Sequence, residues 1–120
     1  MLEILIFLAE SAVLFVVSTT IFDGVHYLLH RWQSSRFKIL RIFNSWHQVH
    51  HEFLDKNMDV HPELAGRNLW AHLIPEYLTS VGGTVIFLPL LGLWPVLTIV
   101  TIHTVLFAVR VKEEGVDIII

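Results

Sequence analysis

Residues 2–22 read LEILIFLAESAVLFVVSTTIF, an apolar stretch broken only by Glu3, Glu10 and a few hydroxyl side chains. At about 1.5 Å per helical residue this run reaches roughly 31 Å, the thickness of a bilayer's hydrocarbon core. It reads as a membrane helix. No basic residues precede it and no small-x-small cleavage pattern follows, so a retained span is expected rather than a cleaved leader. The rest of the chain agrees with this reading. Of 120 residues, 54% are hydrophobic and only 16% charged, below the quarter or so usual in soluble domains. Mean hydropathy is +0.63. A net charge of -3 supplies no overall basic field, so nucleic acid is excluded as a partner. There is no cysteine, which removes disulfides, thiolate metal sites and thiol nucleophiles together.

Past Phe22 the character changes. Residues 23–72 carry Arg31, Arg36, Lys38 and Arg41 without an intervening acid, then a run of histidines, then Glu52, Asp55, Asp59 and Glu63. This stretch belongs outside the hydrocarbon, with its basic part against anionic headgroups. Two further apolar runs, 77–91 and 93–109, flank Gly92-Leu93-Trp94-Pro95 and predict a membrane hairpin spanning 77–109. Pro89 and Gly82-Gly83 should bend or loosen its first arm. Arg110 and Lys112 mark the exit, and 110–120 reads as a tail.

The fold class expected is therefore all-α: a single membrane domain over 1–120, with an N-terminal span (2–22), a histidine-rich helical segment (23–72) and a helical hairpin. Basic residues cluster after the first span and after the hairpin, and none lies in the 92–95 turn. The positive-inside rule then places the histidine segment and C-terminus in the cytoplasm and the N-terminus opposite.

Eight histidines equal the Lys plus Arg count, and five lie between His26 and His51. Two spacings carry the chemistry: His26-x-x-x-His30 and His47-x-x-His50-His51. On a helix, i and i+4 lie about 40° apart and i, i+3, i+4 span about 100°, so each group presents its imidazoles on one face. That is how helices deliver several nitrogens to a metal. Asp23, three residues before His26, falls on the same face, where a carboxylate can fix a ligand's tautomer. Imidazole suits zinc, copper, iron and nickel alike. Neither box holds the glutamate of H-E-x-x-H, which disfavours a zinc protease. His103 lies about 10 Å of helix inside Arg110, a depth at which an ionisable residue is a functional candidate. His61 precedes Pro62. His72, four residues before Glu76, reads as interfacial or salt-bridged rather than as a ligand.

With Asp23, His26-Tyr-Leu-Leu-His30-Arg31, Trp46-His47-Gln-Val-His50-His51, His61-Pro62 and His103 in this order, the chain resembles the fatty acid hydroxylase and sterol desaturase superfamily of membrane di-iron enzymes. The resemblance covers about residues 20–105. It implies two iron ions, O2 as co-substrate, an external cytochrome or ferredoxin-type electron donor, and hydroxylation or desaturation of a fatty acyl, sterol or carotenoid-like lipid in lipid biosynthesis or modification. The implied metal ligands are His26, His30, His47, His50, His51, His61 and His103, with Asp23 orienting them and no separate catalytic side chain. The first box has two registers: His26 with His30, or His30 with Ser34 at the second ligand position. The family's last HX2HH box does not occur between His103 and Ile120, so the chain is expected to be incomplete at its C-terminus. An alternative is a non-catalytic membrane metal-binding or scaffold protein retaining only two boxes. A homo-oligomer would be one source of further imidazoles.

Overall fold

A computed structural model of the chain describes residues 1–113. Residues 114–120 of the expected tail lie outside the described residues. Helix α1 runs from Leu2 to Arg31 without interruption, about 45 Å and half as long again as the hydrocarbon core. It outlasts its apolar stretch because nothing after Phe22 stops it: Gly24 costs only about 1 kcal/mol, and no proline intervenes. The first histidine box therefore sits on the last two turns of a membrane helix rather than on a separate element. The chain then reverses through a 3-10 turn, Trp32–Ser34, and the Ser35 hydroxyl accepts the Phe37 N–H at 3.1 Å.

Helix α2, Lys38–Phe53, carries the second box and buries Asn44, His47, Val49 and Phe53. It is pinned to α1 by Asn44, whose Nδ2 donates to the Leu29 carbonyl at 2.6 Å. Leu29 is among the last four residues of α1, whose carbonyls lack a full set of helical partners. A tight loop follows, with an isolated antiparallel bridge between Leu54 and Val60, and Met58 in the left-handed region at φ 63°. The Asp55 carboxylate holds this loop by accepting the Asn57 and Asp59 N–H groups.

The second apolar segment begins earlier than the 77–91 run. Pro62–Leu64 forms a 3-10 turn, α3 spans Ala65–Asn68, a π-helical turn covers Leu69–Leu73, and α4 runs Ile74–Val85. Pro75 explains the widened turn: it lacks an N–H for the Ala71 carbonyl, and its ring crowds that carbonyl. After a short break α5 covers Leu88–Leu91. Gly92, at φ 83°, turns the chain into α6, Leu93–Glu113.

Helices α1, α4 and α6 pack together, and α2 rests across their end against α1, α3 and the π turn. Gly83 sets the α1–α4 crossing: a Cβ there would meet Ile21 Cγ2 at 3.3 Å. The buried core is small, Leu14, Val96 and Ile99 with Phe15, Phe87, Leu91 and Val100 packed on it. Ser11, Ser18 and Thr84 are buried between helices, the small polar seam typical of helices associating in lipid. Leu5, Leu8, Val13, Val16, Leu97, Val105 and Leu106 point outward, more contiguous apolar surface than water tolerates. Three helical segments, Leu2–Ser34, Pro62–Leu91 and Leu93–Glu113, are long and apolar enough to cross a membrane. No strand occurs among the described residues.

Candidate metal centre

The two boxes meet because α1 carries its first pair past its apolar stretch and α2 turns back across it. His26 and His30, one turn apart, bring their Nε2 atoms to 3.1 Å. His47 Nε2 lies 3.1 Å from His30 Nε2, and His51 Nε2 lies 3.3 Å from His47 Nε2. The ligand nitrogens of His26, His30 and His47 all fall within 4.8 Å of one another. These spacings have a specific meaning. Two imidazole nitrogens bound at about 2.1 Å to one ion, at angles of roughly 90–109°, stand about 3.0–3.4 Å apart. Three nitrogens within 4.8 Å of one another, from His26, His30 and His47, with His51 adjoining His47 and no carboxylate among them, make a group that could hold a transition metal.

Their protonation suits that task. Burial pushes the His47 imidazole down to about 3, helped by the charges His26, His72, His30 and His51 would carry. His50 is lowered to about 4, first by burial and then by His72, Arg110 and His51. His51 is lowered by burial and by His30, His26 and His72. Neutral imidazoles keep the lone pairs a metal requires.

A second group adjoins the first. His50 stacks on His72 with ring centroids 4.0 Å apart, and His72 stands 5.3 Å from His47. Asn68 hydrogen-bonds His50, while His50 Nδ1 is buried and finds no hydrogen-bond partner among the described residues. His72 Nε2 contacts Glu76 Oε2 at 2.9 Å, and Glu76 Oε1 accepts from Arg110. The carboxylate thus ties the π turn to α6 and leaves His72 Nδ1 on the ring's other side. The sequence reading anticipated the Glu76 contact but not the burial of His72 beside the boxes. Its i, i+4 spacing to Glu76 is what the sequence shows. Its proximity to His47 depends on how the Pro75-widened turn packs against α2, which no local spacing encodes.

The other candidates stand elsewhere. Ser34 is exposed in the turn after α1, so the residue opposite His30 is His26. Asp23 is exposed, and no hydrogen bond from it to His26 is found among the described residues. His61 is held in the 54–61 loop region, Nε2 at 2.9 Å from Asp55 and Nδ1 at 3.4 Å from Glu63. The Asp55 hydrogen bond raises its pKa. His103 is buried between spans, its Nε2 2.9 Å from Ser18 Oγ and its ring stacked on Phe15. The Ser18 hydroxyl also stands 3.1 Å from the Phe15 carbonyl.

Beside the imidazoles lies a cavity of about 260 Å³, walled by Phe22, Val25, Leu29, Trp32, Phe43, Trp46, Ala71 and Pro75, with His26, His47 and His72 on its surface. An apolar chamber with a few convergent nitrogens is the ordinary form of a small-molecule site. Comparison of the chain with models of known protein families, with characterised proteins and with solved structures finds no match.

Proposed function

We propose that this chain is an integral membrane, iron-dependent, oxygen-using lipid hydroxylase or desaturase, as its likeness to the fatty acid hydroxylase and sterol desaturase superfamily implies. The observation that carries the reading is the convergence of the His26, His30 and His47 ligand nitrogens, with His51 Nε2 against His47, beside an apolar cavity. An unactivated C–H bond offers no handle to acid-base or nucleophilic groups, and bound iron supplies the oxygen chemistry that such a bond requires. The protein's own tasks are simpler. His26, His30, His47 and His51 hold the metal, and His50 and His72 are the nearest donors for a second ion. Glu76 fixes the His72 ring, while Arg110 holds Glu76. The apolar and aromatic walls accept an acyl or sterol-like body. Electrons come from a cytochrome or ferredoxin-type donor, and the positive-inside pattern supports a cytoplasmic face for the site.

A second reading has its own support. The close group contains three nitrogens with a fourth, from His51, beside His47, enough for one ion, and His61 and His103 are held by other partners. A non-catalytic metal-binding or scaffold protein fits that count. Metal analysis of the purified chain separates the two. Two irons per chain, lost in His47→Ala, support the oxygenase. Zinc alone, or no metal, refutes it.

A further inference from the structure

Helix α2 has an apolar face that the fold covers at only one end. Its C-terminal half buries Val49 and Phe53 and stacks His50 on His72 of the π turn. Its N-terminal half leaves Ile39 61%, Ile42 39%, Phe43 36% and Trp46 45% exposed. These four fall within about 100° of one another round the helix, with Lys38, Arg41 and Ser45 on the opposite flank. Charge points the same way. The chain as a whole is at -3, yet 31–51 holds four basic residues and no acid. Level agrees too: Asn44 is bonded to Leu29, which lies about 10 Å of helix beyond Phe22, where a bilayer's headgroups begin. Trp32 and Trp46, side chains that favour that layer, stand there.

We propose that the N-terminal half of α2 is an in-plane anchor that docks on the anionic phospholipid surface of the bilayer crossed by the spans. Ile39, Ile42, Phe43 and Trp46 sink to the acyl boundary, and Arg36, Lys38 and Arg41 meet the phosphates. Phe43 and Trp46 also wall the cavity beside His26 and His47, so docking presents that cavity to the leaflet. The anchor does not depend on which metal the histidines hold.

The test uses the absence of native cysteine. The full chain carrying Ile39→Cys, or Ser45→Cys about 120° round α2 as a control, is labelled with an environment-sensitive fluorophore. It is then placed in nanodiscs of phosphatidylcholine alone or with phosphatidylglycerol. Lipid-borne nitroxide should quench the Ile39→Cys label and aqueous iodide the control, and phosphatidylglycerol should strengthen the first effect. Arg36→Gln with Lys38→Gln should lower the docked-to-undocked ratio about 30-fold, and only in anionic discs. Arg41 is left intact because it donates to the Ser35 carbonyl within the turn. Iodide quenching of the Ile39→Cys label overturns the proposal. So does equal docking in neutral discs, and so does protection from both quenchers, which would indicate a protein partner. Metal content is read on the same samples, so failure of the anchor and failure of the iron reading are seen separately.

Discussion

Acidification should unfasten the histidine cluster, and His47→Gln should remove part of that sensitivity. His47 is 2% exposed, and its folded pKa of about 3 lies well below its unfolded value near 6.5. The folded state therefore refuses a proton that the unfolded state accepts. Above pH 6.5 neither binds it and His47 contributes no pH dependence. As pH falls below 6.5 the unfolded state is favoured by up to about 1.4 kcal/mol per pH unit. At pH 5 the penalty from this residue is about 2 kcal/mol, and screening by solvent reaching the site through the cavity lowers it toward about 1. The loss would be complete only below pH 3. Thermal or SDS unfolding of the metal-free protein in detergent, at steps from pH 7.5 to 4.5, measures it. Wild type should lose stability steadily below pH 6.5, and His47→Gln should show a shallower slope by about one proton's worth. Parallel slopes would refute the assignment of His47 as a buried neutral imidazole. A metal that binds these nitrogens should protect the wild type in the same range, because it competes with the proton for the same lone pairs.

Three further outcomes follow from named contacts. Glu76→Gln weakens the hold on His72 while leaving the close Nε2 group in place, and should lower affinity for a second ion by about 10–100-fold in competition with a chelator, with the first ion retained. Ser18→Ala removes the partner of a buried imidazole and should cost about 1–2 kcal/mol in unfolding, while metal content stays at the wild-type value because His103 is not one of the close group. Gly83→Leu forces a side chain against Ile21 and should cost about 1–3 kcal/mol, whereas Gly82→Ala, with open space at its Cβ, should be neutral or stabilising by up to about 1 kcal/mol in the same unfolding assay.

The three apolar segments were legible in the sequence because lipid demands about twenty consecutive apolar residues, and such runs are hard to mistake. Their ends were not. Composition marks where hydrocarbon stops, not where a helix does, so the 2–22 run gave no sign that α1 continues to Arg31. The second span likewise starts at Pro62 rather than Tyr77, since its first part is polar enough to leave the membrane yet remains helical. Box spacing placed histidines on common helix faces, and the structure brings both boxes together. Spacing carries no information on which faces meet. His72 joins the group only through the turn widened by Pro75, and His61 and His103 are claimed by Asp55 and Ser18, partners 6 and 85 residues away.

The overlong first helix has a consequence for the site's chemistry. Two of the three close nitrogens, from His26 and His30, belong to the same helix whose apolar stretch is long enough to cross a membrane, and α2 supplies the third, from His47, while anchored to α1 through Leu29. The height of the cluster above the hydrocarbon is then fixed by where α1 leaves it, about four to eight residues beyond Phe22, or roughly 6–12 Å. Phe22, Val25 and Leu29 line the cavity down that same helix. A hydrocarbon chain entering along them would reach the imidazoles without leaving apolar surroundings, which is the access an oxidation of unactivated C–H bonds needs and a hydrolytic site does not.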